Sequence, residues 1–259
     1  ESDGALDIRV DPAPLYVFDL APDRGGVDLV LQNILVVNHE NQARELTGLR
    51  VELLKGGEIV STARVGAETL TRRAQRVANY QQAGVLSAMD FQFHLSRIMH
   101  AGERLSADAT LDPNEAYLNI SFYISANALP DTARVIVEGP RGDLGHVDVP
   151  VSRYQSPIAY RAPVNGRWYV LASGDVAQHH RWVVSSEYAL DIARMNADMR
   201  TYTGDGAHLT DYITYRQPIL AVADGVVVAM RNDRQDNEAM LRQPGEAFDA
   251  YMQRVVETQ

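Results

Sequence analysis

The sequence contains no cysteine. That excludes disulfides, thiolate zinc sites and a cysteine nucleophile. It leaves the compartment open, since an oxidising space tolerates a cysteine-free chain easily. Long apolar runs are missing too. None approaches the roughly 18–20 residues that span a bilayer, and the longest, "ILAVA" and "GVVVAM", have strand length. Basic clusters are absent. Lys and Arg number 24 against 34 Asp and Glu, for a formal net charge of -10. Binding to a phosphate backbone needs a basic face, so nucleic acid is not an expected partner. There is no G-x-S-x-G elbow, no P-loop and no G-x-G-x-x-G fingerprint. The chain opens "ESDGALDIRV", without Met and without a charged-then-apolar leader. It reads as a mature N-terminus whose signal peptide has been removed, which predicts a periplasmic or secreted protein.

What is present fits two domains. The length is 259 residues and 46% of them are hydrophobic, enough for ordinary folded cores at about 100–200 residues per domain. From Leu6 to about Tyr154 short alternating runs recur: "ALDIRV", "LYVFDL", "VDLVLQNILVVN", "AYLNISFYIS", "ARVIVEG" and "HVDVPVS". "LRVELLKGGEIVSTARV" predicts a hairpin turning at Gly56-Gly57. "AETLTRRAQRVANYQQ", residues 67–82, places Leu70, Ala74, Val77 and Ala78 near helical spacing and predicts a helix inserted between strands. "MDFQFHLSRI" alternates and predicts a further strand. Residues 1–153 are therefore expected to form an immunoglobulin-like antiparallel β-sandwich with a helical excursion.

"YQSPIAYRAPVNG", with two prolines, reads as a linker over residues 154–166. Beyond it, residues 167–259 offer a strand in "RWYVLASG" and a histidine-rich loop. "YALDIA", the Asp-Gly hairpin "QPILAVADGVVVAM" and a C-terminal helix with Phe248, Tyr251, Met252 and Val255 on one face follow. The whole is expected to be all-β, mainly antiparallel, with helical insertions.

The chemistry sits in "HHRWVVSSEYALDI". A neutral imidazole and a carboxylate are good ligands for a divalent ion. A carboxylate at the end of an apolar strand is costly to bury unless paired or metal-bound. On these residues alone two readings stand: ligands, or solvated histidines with Asp191 capping a strand. His208 in "GDGAHLTDY" likewise reads as a groove residue, a third ligand or a solvated loop histidine.

Taken together, "YALDI" and "YRQPILAVADGVVVAMRND" resemble the first half of LytM/lysostaphin-type zinc metallopeptidases, which cut peptide cross-links of bacterial cell walls. The resemblance covers about Trp168–Asn237. It implies a bound Zn2+ with Asp191 as a ligand. It places the partner histidine upstream, at His180 with His179 as the alternate, because the position four residues before the aspartate is Glu187. His208 and Tyr212 become candidates for a substrate groove. The implied substrate is a peptidoglycan peptide and the implied setting the cell envelope. The family also uses a C-terminal "H-x-H" strand for its last ligand and general base. This sequence has none, and its last histidine is His208. The expectation is that the sheet of residues 167–259 needs completion by a further segment, a partner chain or a second copy. The alternative expectation is a catalytically degenerate binding or regulatory module.

Overall fold

The structure is a computed structural model and describes residues 6–19, 25–172, 189–233 and 235–258. They divide into two compact units, Glu1–Gln155 and Ser156–Gln259. Among the described residues, no helix is long and apolar enough to cross a membrane.

The first unit is a β-rich, mainly antiparallel fold with helical insertions. Its strands are β1 (Leu6–Asp11), β2 (Leu15–Asp19), β3 (Val27–Asn38), β4 (Arg44–Glu45), β5 (Gly48–Lys55), β6 (Glu58–Gly66), β7 (Arg104–Leu105), β8 (Thr110–Leu111), β9 (Glu115–Ala126), β10 (Thr132–Gly139) and β11 (Gly142–Arg153). One sheet runs β6-β5-β10-β11-β2-β3-β9-β7, with β1 also on β3. β1 and β2 line up along the same edge of β3, pairing with its C-terminal and N-terminal halves respectively. Pro12 and Pro14 separate them, as proline interrupts a hydrogen-bonded ladder. The sheet curls until β6 meets β9, where Ser61 Oγ donates to the Ser125 carbonyl at 2.6 Å.

Curling creates the core. Val51 and Leu53 of β5, Val135 and Val137 of β10 and Val149 of β11 pack with Leu29, Leu31, Tyr117, Phe122 and Ile124 of β3 and β9. Each large apolar side chain taken out of water contributes about 1.5–3 kcal/mol. The Gly56-Gly57 turn adopts the conformation that "KGGE" predicts. Both glycines have positive φ, +58° and +88°, and Lys55 pairs with Glu58, as a two-residue type I′ hairpin requires.

The predicted helix is α1 (Ala67–Gln82), with Leu70, Ala74 and Val77 buried along one stripe. The segment after it differs from expectation. "MDFQFHLSRI" forms no strand. It joins α2 (Val85–Ala88), α3 (Asp90–Phe93) and α4 (Leu95–Ile98), kinked at His94 with φ 53°. Leu86, Phe93 and Ile98 cover Leu35, Val37, Ala116 and Leu118 on the outer face of β3 and β9. Local alternation suits a strand; burial against an uncovered sheet face favours compact turns, and tertiary packing overrides the local preference.

In the second unit, β12 (Tyr169–Ala172) pairs antiparallel with β13 (Asp191–Ala193), and α5 spans Phe248–Thr258. The predicted 219–230 hairpin is not formed: the segment has no strand, and Val226, Val227 and Val228 are 87%, 82% and 94% exposed. Strand-like composition does not make a strand without neighbours to accept its hydrogen bonds.

Candidate functional site

Asp191 begins β13; the expectation that it ends a strand is corrected. It lies opposite Ala172 across an irregular register, and its side chain faces solvent rather than a core. Exposure removes the burial cost that made a metal partner attractive. The proposed partners His179 and His180 lie outside the described residues, as does Glu187.

Downstream of Asp191 the chain is tied back. Arg194 takes its backbone hydrogen bond to Thr214 Oγ1 at 3.0 Å and donates from Nη1 to Gln217 Oε1 at 3.0 Å. Its guanidinium lies 5.8 Å from the Trp168 ring. Arg167 stacks at the same distance over Tyr169. The two arginines share a shallow pocket of about 510 Å³ with Tyr169, Asn196, Met199 and Ile213. Two cations at one concavity favour an anionic or carbonyl-bearing group.

The predicted groove residues sit on a neighbouring loop. Tyr202 and Tyr212 form an isolated antiparallel bridge, their rings 5.7 Å apart. Thr203 N–H donates to the Asp211 carbonyl at 2.9 Å. His208 heads a 3-10 turn, Leu209–Asp211, and its backbone N–H is accepted by Asp211 Oδ2 at 3.1 Å. Tyr212 lines a pocket of about 310 Å³ with Tyr202, Asp205, Arg242 and Gly245. Burial raises the Tyr212 phenol above its ordinary value, which keeps it a neutral hydrogen-bond donor at neutral pH.

His208 is exposed, with Nδ1 3.3 Å from Glu238 Oε2. That contact raises the imidazole pKa. Glu238 also accepts from Leu209 N–H at 3.3 Å. Its position is set from α5: Arg254 donates to the Ala239 carbonyl and, at 2.8 Å, to the Leu241 carbonyl. Tyr251 Oη reaches the Met240 carbonyl at 3.2 Å. Arg254 also holds Glu246, whose carboxyl drops to about 2 chiefly through that hydrogen bond. Sequence reading missed Glu238, Arg167 and Arg194. Glu238 lies 30 positions from His208, and no local spacing signals that contact.

No family model matches the chain. No curated protein matches it. Among solved structures it is similar to Northeast Structural Genomics Consortium target SoR45, at 10% identity over 63% of this chain and 97% of that one, with a TM-score of 0.28. A likeness that low carries no argument about fold or function.

The donor types of the implied zinc site, imidazole and carboxylate, suit that ion. The described part of the site supplies Asp191. Among the described residues, no group of three or more His, Asp or Glu is arranged to hold a metal.

Proposed function

We propose that the chain is a zinc metalloendopeptidase-like protein of the bacterial cell envelope, acting on peptidoglycan peptides. The observation that carries this reading is the "YALDI…PILAVADGVVV" pattern around Asp191. Asp191 and His180, or His179, would hold the metal. Zinc, when bound, polarises a peptide carbonyl and lowers the pKa of its water toward about 7. The nearby loop would take the peptide: Tyr212 donates to a carbonyl, and Arg167 and Arg194 attract its acidic or carboxylate groups.

A second reading is a binding or regulatory module that holds such peptides without cutting. What favours it is that Asp191 is exposed and that, among the described residues, no three His, Asp or Glu are grouped to hold a metal.

Metal analysis of the purified chain tests the ligand assignment and does not separate the two readings. One equivalent of zinc is expected, falling well below that in Asp191→Ala and in His179→Ala/His180→Ala. Zinc retained by both variants would sink the ligand assignment. A chelator-sensitive cleavage assay on a cross-linked cell-wall peptide then decides between cutting and holding.

A further inference from the structure

We propose that the concavity shared by Arg167 and Arg194 binds the free C-terminal carboxylate of a peptide that ends in an apolar residue. This deepens the peptide reading above and rests on it for the occupant being a peptide. The pocket measures about 510 Å³, a size usual for small-ligand sites. It lies beside the β12–β13 pair of the second unit.

Its positive charge is uncompensated. The chain carries 34 Asp and Glu against 24 Lys and Arg, yet among the described residues none that lines this pocket is acidic. Each guanidinium is held by neutral groups instead. Arg194 stacks on Trp168 at 5.8 Å and uses Nη1 on Gln217 Oε1 at 3.0 Å. Arg167 lies over the Tyr169 ring at 5.8 Å, and among the described residues its guanidinium has neither a hydrogen bond nor an ion pair. Stacking holds a guanidinium by its face and leaves its N–H edge for a ligand. Asn196 adds a third donor. Its Oδ1 accepts from the backbone N–H groups of Asp198 and Arg200, both at 3.0 Å. Those two donors fix which way the amide points, so the group left for a ligand is Nδ2. Two cations and an amide N–H call for an acceptor, and a guanidinium edge matches a carboxylate in two parallel hydrogen bonds.

The remaining wall is apolar, with Met199 and Ile213. Met199 is 61% exposed, so covering it removes apolar surface from water. A phosphate or sulfate ion would engage the arginines and leave that wall bare. An acidic side chain inside a peptide has the same fault, because polar backbone flanks its carboxylate on both sides. A C-terminal residue carries carboxylate and side chain on one Cα. It gives the anion to Arg167 and Arg194 and an apolar side chain to Met199 and Ile213.

The test is calorimetric titration of the full chain with N-acetyl-alanyl-leucine, with the same dipeptide amidated at its C-terminus, with N-acetyl-glutamyl-leucinamide and with inorganic phosphate. The free acid is expected to bind, and the plain amide to bind about tenfold or more weakly, since charge-assisted hydrogen bonds are lost. Arg167→Gln should weaken the acid by a similar factor and leave the amide unchanged. Its melting temperature should hold, because the Arg167 guanidinium has no hydrogen bond to lose. The proposal is overturned if the acid does not bind, if the plain amide binds as well as the acid, or if Arg167→Gln changes nothing. Equal binding of phosphate or of the glutamyl amide also overturns it. Binding of the acid without cleavage of any cell-wall peptide keeps this site and removes the peptidase reading; cleavage without this binding does the reverse.

Discussion

Arg73 and Asn119 meet inside the first unit, Arg73 Nη1 donating to Asn119 Oδ1 at 2.6 Å and tying α1 to β9. Asn119 is fully buried, and its Nδ2 has no partner. Burial lowers the Arg73 pKa, and the buried Tyr117 phenol nearby is pushed far above its ordinary range. Arg73→Ala leaves both polar atoms of Asn119 unsatisfied, at an expected loss of about 1–3 kcal/mol. Replacing both residues by leucine should cost less than the sum of the two single changes. Urea unfolding of the four proteins checks this; simple additivity would mean the contact is not made in solution.

The Gly56-Gly57 turn supports a sharper comparison. Both positions need positive φ, and a Cβ at either meets open space, so any penalty is conformational rather than steric contact. Gly57→Val should lower stability by about 1–2 kcal/mol. Gly56→Asn should be nearly neutral, because asparagine tolerates the left-handed region. Equal melting of all three would exclude the type I′ geometry.

The His208–Glu238 contact predicts a pH effect of definite sign. Glu238 raises the folded-state imidazole pKa. Its contribution is then fully present below the ordinary value of about 6.5 and fades as pH rises through the folded value. Both groups are exposed, so the readout is local. The His208 ring signal should titrate above 6.5 and fall toward it in Glu238→Gln. A midpoint that Glu238→Gln leaves unmoved would show that the pair is not formed.

How far the sequence carries depends on the range of the interaction. The Gly-Gly hairpin and α1 were legible because turn chemistry and helical spacing are local. The 90–98 segment was not, because its alternation was overruled by the sheet face that it covers. Asp191 was legible as a residue of interest but not in its setting, since the register with Ala172 decides its exposure. Glu238 was invisible, because α5 delivers it to His208 through Arg254. Tyr16 and Phe18 show alternation in sequence, yet only the curl of the sheet tells that Leu15 and Val17 face the core and the two rings face away from it.

The last prediction concerns Ile219–Met230, whose strand-like composition forms no strand; Leu220 and Val222 are tied by backbone hydrogen bonds to Pro163 and Arg161, and the apolar stretch that follows is exposed. Val226, Val227, Val228 and Met230 are each more than four-fifths exposed. Apolar, β-branched segments with free backbone groups recruit strands from other chains. The purified chain should therefore bind a hydrophobic dye and self-associate as its concentration rises. Val226→Lys/Val228→Lys should reduce both, since charge opposes strand-to-strand pairing. It should leave the melting temperature within about a degree or two, because fully exposed side chains lose little packing. Light scattering and thermal melting read the two effects separately. A large drop in melting temperature would mean that these valines are buried in solution, inside a sheet that the "PILAVADGVVV" pattern predicts.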